Sequence, residues 1–393
     1  MEAWRKIRLG DACVTNADSY SPKEEWKFVN YLDTGNITDN RIDSIQYIDV
    51  ENDKLPSRAR RKVKKDSIIY STVRPNQRHF GIIKTQPENF LVSTGFAVID
   101  VDANVLNSNF LYYLLTQPTL VETLHAIAEQ STSAYPSIKP SDIEDLEIEV
   151  PDLATQKRIA DILGSLDGKI AQNAAINENL LQQAQSIFTQ EFLVLDTIPD
   201  GWQESSLLGI ADYLNGLAMQ KYRPKDDEQG LPVLKIKELR QGSCDSNSEL
   251  CSPSIKPEYI VHDGDVIFSW SGSLLVDLWC GGTCGLNQHL FKVTSSTYDK
   301  WFYYAWTNHH LQKFAAIAAD MATTMGHIKR EELAKAEVLI PSQSDYDRIG
   351  GLLAPLYDLV IANRIENRKL ASLRDELLPQ LMSGQLDVSE VSI

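Results

Sequence analysis

The sequence contains no run of eighteen consecutive apolar residues, and its first residues, MEAWRKIRLGDA, contain no apolar signal core. We therefore expect a soluble, cytoplasmic protein with no membrane segment. Only five of the 393 residues are cysteine. An odd and small number of cysteines in a long chain argues against a disulfide framework and favours a reducing compartment.

Sequence motifs of nucleotide binding and catalysis are also missing. The chain has no G-x-x-x-x-G-K-[ST] loop and no Asn-Pro-Pro-Tyr methyltransferase box. The spacings of Cys244, Cys251, Cys280 and Cys284 do not suit a zinc knuckle, so we expect buried free thiols, no metal site and no cofactor. No catalytic residue is predicted. Scattered carboxylates could still assemble a nuclease site in three dimensions, and that alternative stays open.

One long segment, in contrast, occurs twice. PDLATQKRIADILGSLDGKIAQNAAINENLLQQAQSIF starts at Pro151, and PSQSDYDRIGGLLAPLYDLVIANRIENRKLASLRDELL starts at Pro341, with a constant offset of 190 residues and no gap. Apolar residues and asparagines recur in each copy at alternating steps of four and three, which is the pattern of a heptad seam. About thirty residues in each seam predict a helical rod of roughly 45 Å. The predicted helix-pair interface consists of Ile159, Leu163, Leu166, Ile170, Asn173, Asn177, Leu180 and Ile187 with Ile349, Leu353, Leu356, Val360, Asn363, Asn367, Leu370 and Leu377.

Start and stop signals bound both predicted helices. Asp152 and Ser342 directly follow the prolines and can cap free backbone N–H groups. The first helix should end before Asp196, and the second should bend or stop around Pro379 and end by Gly384.

The register of the two seams allows more than one pairing. An antiparallel pair brings Asn173 to Asn367 and Asn177 to Asn363, and only Arg374 fits poorly, because it faces a leucine. A parallel pair also brings asparagine to asparagine, so the heptads leave the direction open. Buried amides would fix the register at a cost in stability, whereas partly solvated asparagines are the alternative.

The segments before the two rods share a weaker plan. Trp4 with LGDA matches Trp202 with LGIA, and DSIIYS at 66–71 matches DVIFSW at 265–270. Strands are predicted at 28–37, 66–73, 80–85 and 95–101, a helix at 108–128 and helical segments over 300–319. The chain is thus interpreted as a tandem duplication with these parts: a first domain at 1–150, a central helix at 151–195, a second domain at 196–340, and a C-terminal helix and tail at 341–393.

The formal net charge of −16 would by itself count against nucleic-acid binding. Between Lys54 and Lys84, however, ten Lys or Arg residues accompany a single acidic residue, Asp66, which gives a local charge of +9. Arginine, asparagine and glutamine can make bidentate contacts with base edges, so this segment predicts a DNA-binding surface; a solvated charged face is the alternative. The second domain has a thinner version, and His289 could be a core residue or could face DNA. The candidate DNA-binding residues are Lys54, Arg58, Arg60, Arg61, Lys62, Lys64, Lys65, Arg74, Asn76, Gln77 and Arg78, then Lys221, Tyr222, Arg223, Lys225, Lys235 and Lys237.

Taken together, these features resemble the specificity subunits of type I restriction-modification systems. The resemblance covers essentially the whole chain. It rests on the duplicated rod and its ending, LASLRDELLPQLMSGQLDV at 370–388, supported by FVNYLDTGNI at 28–37, GLPVLKIKEL at 230–239 and LNQHLFKV at 286–293.

The resemblance implies an α+β fold in which two tandem mixed α/β target recognition domains are separated by two long helices. These helices would pair as an antiparallel coiled coil, giving a pseudo-twofold internal duplication. The chain would catalyse nothing itself. It would bind a bipartite target in double-stranded DNA, one half-site per domain with an unread spacer, and direct adenine methylation and restriction. The implied partners are two adenine-specific DNA methyltransferase (M) subunits and translocase/nuclease (R) subunits, with no membrane. The acidic charge departs from this picture and suggests weak DNA binding without the methyltransferases.

Other functions are compatible with parts of the pattern. The chain could be the recognition part of a fused type II restriction-methylation enzyme, although the methyltransferase box is missing. It could be a stand-alone nuclease, which a metal-dependent cleavage assay would reveal. It could also be a coiled-coil adaptor for proteins, which a salt-dependent DNA shift by the reconstituted complex would exclude.

Overall fold

Both long segments of the repeat are helical in the computed structural model, which describes residues 4–131, 135–320 and 328–388. The chain divides into two units. Unit 1 consists of Met1–Gly168 and Ser372–Ile393, and unit 2 is Lys169–Ala371. Each long helix therefore contributes residues to both units.

Unit 1 begins with a strand-rich domain. Its β-branched and aromatic runs, separated by turn residues, favour strands. The predicted strand segments contain β3, β8, β9 and β11. The strands are β1 Arg5–Arg8, β2 Cys13–Thr15, β3 Phe28–Leu32, β4 Ile37–Thr38, β5 Arg41–Ile42, β6 Gln46–Asp49, β7 Ala59–Lys62, β8 Ile68–Ser71, β9 Phe80–Ile82, β10 Phe90–Ser93, β11 Phe96–Val101 and β12 Glu147–Val150.

The helices of unit 1 correct one prediction. In place of a single helix over 108–128, the chain forms α1 Ser108–Leu115 and α2 Pro118–Glu129. Pro118 lacks the N–H that would continue α1, and its ring keeps Gln117 at φ −59° and ψ 137°, outside the helical region. Two further helices follow: α3 Pro140–Glu144 and α4 Leu153–Phe188.

Two four-stranded sheets form the body of this domain, with the orders β6-β3-β10-β7 and β2-β11-β8-β9. β3 and β10 are parallel, and β1 pairs antiparallel with β12. Successive residues of β8 point to opposite faces. Ile68 and Tyr70 pack against the helices, whereas Ile69 joins the core beneath the other sheet with Val92. The sheet that carries β8 is thus buried on both faces.

Unit 2 contains β13 Gln203–Ser206, β14 Asp212–Asn215, β15 Leu231–Leu234, β16 Leu250–Cys251, β17 Ile260–Val261, β18 Val266–Ser269, β19 Leu275–Leu278, β20 Cys284–Leu286, β21 Leu290–Thr294 and β22 Glu337–Ile340. Its helices are α5 Leu207–Ile210, α6 Ile236–Gln241, α7 Lys300–His309, α8 Leu311–Asp320, α9 Arg330–Ala334 and α10 Gln343–Met382.

The strand plan of unit 2 repeats that of unit 1. Its sheets have the orders β16-β15-β20-β17 and β14-β21-β18-β19, and β13 pairs antiparallel with β22. Again one pair is parallel, β15 with β20, in the place of β3 with β10. Each strand of the two large sheets in one unit has a counterpart with the same neighbours in the other.

An aromatic core holds the end of α4 in unit 2. Phe188 and Phe192 contact the buried Trp306 edge-on, with ring centroids 5.0 and 5.3 Å apart. Such edge-to-face pairs add to the gain from burial itself. The end of α10 is likewise buried in unit 1, where Leu378 and Leu381 belong to the hydrophobic core.

The starts of both long helices are capped as the sequence predicted. Asp152 Oδ1 accepts hydrogen bonds from the backbone N–H of Ala154 at 2.8 Å and of Thr155 at 3.0 Å. Ser342 Oγ accepts one from Asp345 N at 3.4 Å. These bonds satisfy backbone donors that the first turn of a helix leaves without partners.

The ends of the helices also lie close to the predicted positions. A π-helical turn, Thr189–Leu193, follows α4, so the helix ends before Asp196. α10 continues through Pro379 as far as Met382, and Gly384 lies beyond it with φ +69°. Among the helices in the described parts of the chain, none has the length and apolar character needed to cross a membrane.

Candidate nucleic-acid interface and its helical frame

Four asparagines meet where the long helices pass each other in unit 2. Asn173 Nδ2 donates to Oδ1 of Asn367, and Asn363 Nδ2 donates to Oδ1 of Asn177, each at 2.9 Å. Asn173 and Asn177 are only 1% and 6% exposed. Asn177 follows Asn173 along α4, whereas its partner Asn363 precedes Asn367 along α10. These segments of the two helices therefore run antiparallel.

Two asparagines of this layer also bond to the backbone of the opposite helix, and Asn173 Nδ2 donates in addition to Oε2 of Glu366 at 2.6 Å. Asn177 Nδ2 donates to the carbonyl of Val360 at 3.4 Å, and Asn367 Nδ2 donates to that of Ile170 at 3.1 Å. Buried amides with partners do not carry the cost of an unsatisfied polar group. None of the predicted helix-pair residues is fully exposed. Nine are buried: Ile159, Leu163, Leu166, Asn173, Asn177, Leu180, Ile349, Leu353 and Val360; Ile170, Ile187, Leu356, Asn363, Asn367, Leu370 and Leu377 are partly buried.

Arg374, which fits the seam poorly by sequence, has a specific partner in unit 1. Its Nη1 donates to Oδ1 of Asp167 at 2.7 Å, and the hydroxyl of Tyr113 donates to Oδ2 of the same carboxylate at 2.6 Å. Burial raises the pKa of the Tyr113 hydroxyl, which therefore stays protonated as a donor. The seam position filled by an arginine is thus compensated by a carboxylate one residue beyond Leu166.

The basic segment of unit 1 contains both paired and unpaired cations. Lys62 Nζ lies 2.6 Å from Glu24 Oε2 and 5.5 Å from the ring centre of Trp26. Its hydrogen bond holds the pKa of the Glu24 carboxyl below its usual range. Lys64 lies 3.5 Å from Asp100. These contacts fix two of the predicted DNA-binding residues to the body of the domain.

Other cations of this segment remain outside ion pairs. Within the described ranges, no carboxylate lies within 4.0 Å of Lys54, Arg58, Arg60, Arg61, Lys65 or Arg74. Arg61 is partly buried: its Nη1 lies 3.4 Å from Ser19 Oγ, and its Nε has no hydrogen-bond partner in the described structure. The exposed members can therefore meet phosphates without first breaking an ion pair.

The loop after β8 contains two arginines in the left-handed region of backbone conformation. Arg74 and Arg78 both have positive φ, +47° and +58°, and flank the turn Pro75–Gln77. Left-handed backbone at a non-glycine residue costs on the order of 1 kcal/mol and is concentrated at functional sites. Arg78 Nε bonds to Asp39 at 2.6 Å. Asn76 and Gln77, between the two arginines, are exposed.

An aromatic residue that was not among the predicted DNA-binding residues also lies at this loop. The guanidinium of Arg74 lies 5.2 Å from the ring centre of Tyr135, whose side chain is 60% exposed. A guanidinium over a ring is held in orientation without losing its hydrogen-bonding edge. In the sequence, the only indication of this contact is a single tyrosine inside the polar segment 131–137.

In unit 2, three of the predicted DNA-binding cations form ion pairs. Glu249 accepts Lys235 at 2.6 Å and Arg223 at 3.3 Å, and Lys237 lies 3.2 Å from Asp245. The bond from Lys235 lowers the pKa of the Glu249 carboxyl, which stays charged. Lys221, Tyr222 and Lys225 are exposed. The structure thus brings Lys235 and Arg223 together on one carboxylate and leaves the rest of the set scattered.

The cysteines are thiols. Cys13, Cys251, Cys280 and Cys284 are buried and Cys244 is partly buried. Burial raises the pKa of Cys280 to about 11. In the described ranges, no group of three or more His, Cys, Asp or Glu side chains is arranged to hold a metal ion.

Family comparisons match both halves of the chain. The model of the type I restriction modification DNA specificity domain matches residues 1–182 and again residues 199–373. The chain belongs to this family. It is a type I restriction-modification specificity subunit, and neither a fused restriction-methylation enzyme nor a stand-alone nuclease is favoured.

Individual relatives have low sequence identity to this chain but match it over most of its length. The specificity subunit of the type I restriction enzyme HindI from Haemophilus influenzae is 21% identical over 98% of this chain and 100% of its own length. The MjaIX specificity subunit from Methanocaldococcus jannaschii is 26% identical over 72% of this chain and 70% of its own. The crystal structure of a type I system S subunit from M. genitalium has the same fold, with a TM-score of 0.58 at 15% identity, over 97% of this chain and 96% of that one.

Proposed function

We propose that the chain binds a bipartite site in double-stranded DNA, with one short half-site per recognition domain and an unread spacer between them. The observation that carries the proposal is the double match of the DNA specificity domain, once in each half of the chain. We place the two domains at 1–150 and 196–340. Two domains with one strand plan and different surface residues are suited to reading two different short sequences.

The two long helices are the proposed frame, as an antiparallel coiled coil over 151–195 and 341–393. The paired asparagines of unit 2 and the Asp167–Arg374 pair of unit 1 support this pairing. The residue numbers of the two partners add up to 540 in each asparagine pair and to 541 in the Asp167–Arg374 pair. A nearly constant sum is what one antiparallel register produces. A rod of roughly 45 Å is comparable with one turn of B-DNA, at ~34–36 Å. We expect about five to eight unread base pairs between the half-sites on this basis.

The proposed partners supply the chemistry, and the chain needs no cofactor of its own. Two adenine-specific methyltransferase subunits would dock on the repeated helices, because a repeated surface can bind two copies of one partner. Translocase/nuclease subunits would join them for restriction. We propose that this assembly works in the cytoplasm, on the DNA of the cell.

The test is to reconstitute the chain with its methyltransferase subunits and to sequence the methylated adenines. The expected result is one split motif with a fixed spacer, and mass measurement should give two methyltransferases per chain. A continuous motif, or methylation by the methyltransferases without this chain, would refute the proposal.

A further inference from the structure

The loop after β18 in unit 2 shares two hydrogen bonds with the loop after β8 in unit 1, although Ser269 Oγ also donates to the carbonyl of Ser273 at 3.0 Å. A buried serine ends each strand and bonds to the carbonyl two residues further on. Ser71 Oγ donates to Val73 O at 2.9 Å, and Ser269 Oγ donates to Ser271 O at 3.3 Å. The two serines are 2% and 0% exposed.

A second contact aligns the next residue of each loop. The backbone N–H of Ile138 donates to the carbonyl of Thr72 at 2.8 Å, and that of Ile328 donates to the carbonyl of Trp270 at 2.9 Å. Trp270 therefore occupies the position of Thr72. The loop that begins there is the counterpart of the loop that presents Arg74 and Arg78 in unit 1.

The side chains at this edge of unit 2 are amides, an indole and an imidazole. Trp270 Nε1 donates to Asn215 Oδ1 at 3.0 Å. Ser271 Oγ lies 3.1 Å from His289 Nδ1, and Gln288 Nε2 lies 3.3 Å from His289 Nε2. Asn215 is exposed, whereas Trp270, Gln288 and His289 are partly buried, each with part of its surface open to solvent.

A rigid backbone supports these side chains. Gln288 N donates to the carbonyl of Leu217 at 2.9 Å, and His289 N donates to Asn287 Oδ1 at 3.2 Å. A Cβ on Gly216 would lie 2.2 Å from the carbonyl oxygen of Asn287, so only glycine permits this approach. Groups held on pinned backbone keep the geometry that recognition of a base edge requires.

We propose that Asn215, Trp270, Gln288 and His289 form the base-reading edge of the second domain. This inference rests on the proposed function and names the residues that carry it in unit 2. An amide can bond bidentately to an adenine edge, and an indole offers a flat apolar surface for a thymine methyl group. Ser271 is a positioning residue that orients the imidazole of His289. The second half-site is read by amide, indole and imidazole side chains at the place where the first domain presents arginines.

The test uses the full chain assembled with its methyltransferase subunits. Gln288→Ala and Trp270→Ala should each lower discrimination at one or two base pairs of a single half-site, roughly 5- to 150-fold. That half-site should be the one left intact by Arg74→Ala. Gln241→Ala, which removes an exposed amide from α6 of the same unit, should leave the base preference unchanged. Sequencing of methylated adenines measures all four variants.

Three outcomes would overturn the proposal. Unchanged base preference with Gln288→Ala removes this edge from recognition, and this variant decides the matter even if Trp270→Ala does not fold. An equal loss of affinity on all sequences means that the edge contacts only the DNA backbone. Loss of methyltransferase subunits from the complex means that it docks a protein. If the unaltered complex shows no split motif, the proposed function itself has failed, which is a separate result.

Discussion

In unit 1, Lys54, Arg58, Arg60, Arg61, Lys65 and Arg74 lie outside any ion pair with the described residues, whereas in unit 2 Arg223, Lys235 and Lys237 are matched to Glu249 and Asp245. The strand plan beneath them is the same in both units. The two units therefore share a strand framework and differ in their charged surfaces. We infer that unit 1 contributes more of the phosphate attraction and that unit 2 depends more on neutral contacts.

A second difference lies in the sequences of the two long helices, at the positions where α10 contacts the second domain. In unit 2, Arg368 bonds bidentately to Asp263, with both distances 2.7 Å, and Arg364 lies 2.7 Å from Asp277. At the matching positions of α4, 190 residues earlier, the sequence has Ala174 and Glu178. These residues cannot form the same arginine forks. The second domain is thus fastened to α10 by contacts that the repeat does not duplicate.

The largest effect is expected from lengthening the two long helices, which should change the spacer and leave both half-sites unchanged. Inserting one heptad beside Asn173 and one beside Asn367 preserves the seam and adds ~10 Å, or about three base pairs at ~3.4 Å. Modification at the original sites should be lost and should move to sites with a longer spacer and unchanged half-sites. Activity at the new sites should be lower, because the added base pairs bring about a quarter turn of twist that the DNA must absorb.

Methylated-adenine sequencing in cells with the insertion variant provides the measurement. A heptad inserted in only one helix is the matched control, since it breaks the register of the asparagine layer and should abolish modification at both spacings. Full activity at the original spacing in the double insertion would show that the helices do not set the distance.

The next effect compares the cations of the two units directly. Replacing Arg58, Arg60 and Lys65 together by alanine should flatten the slope of log affinity against log salt by about 2.7, since each lost phosphate contact removes ~0.9. Replacing Arg223, Lys235 and Lys237 together by alanine should alter the slope by less than ~0.9, the value of one phosphate contact. Salt titration of the assembled complex measures both. Equal slopes in the two triple variants would contradict the division of roles between the units.

Periodicity made the helical frame predictable. The step of four and three places Asn173 and Asn177 on one face, and a heptad seam admits only a few partners for them. Two directions were compatible with the sequence; the contacts in unit 2 are antiparallel. The prediction of one helix over 108–128 was wrong because Pro118 ends the first helix and occupies the first position of a second one.

The charged surface was less predictable because ion pairs join residues far apart in sequence. Lys62 meets Glu24 from 38 residues away, and Lys64 meets Asp100. No local pattern shows which cations are neutralised in this way. The sequence match of 66–71 with 265–270 was wrong by one residue: it aligned Ser71 with Trp270, whereas the backbone hydrogen bonds place Trp270 at the position of Thr72.

A smaller effect is expected from the strained arginine loop of unit 1. Arg74→Ala and Arg74→Gly both remove the guanidinium, but glycine suits the φ of +47°. Both should cost about 1–3 kcal/mol of discrimination at one base pair of the first half-site. Arg74→Gly should retain more thermal stability, which a melting experiment compares. Equal relaxation of both half-sites would show that Arg74 does not read bases in one domain alone.

The smallest effect concerns the fastening of α10 in unit 2. The hydrogen bond from Arg368 holds the pKa of the Asp263 carboxyl below its ordinary value of 3.8. A lowered folded-state pKa means that the stabilisation is complete above about pH 4 and is lost as the pH falls through the lowered value. The two side chains are 34% and 25% exposed, so the pair lies between a surface and a buried ion pair.

Asp263→Asn should therefore reduce the free energy of unfolding by about 1–3 kcal/mol at pH 7, and the difference from the unaltered chain should shrink towards pH 3. Denaturant unfolding at several pH values measures the difference. Asp358→Asn removes an exposed carboxylate of α10 that has no ion-pair partner among the described residues, and it should show no such trend. A difference that stays constant with pH would mean that Asp263 acts through packing and not through its charge, and the second domain would then lack the electrostatic fastening that distinguishes it from the first.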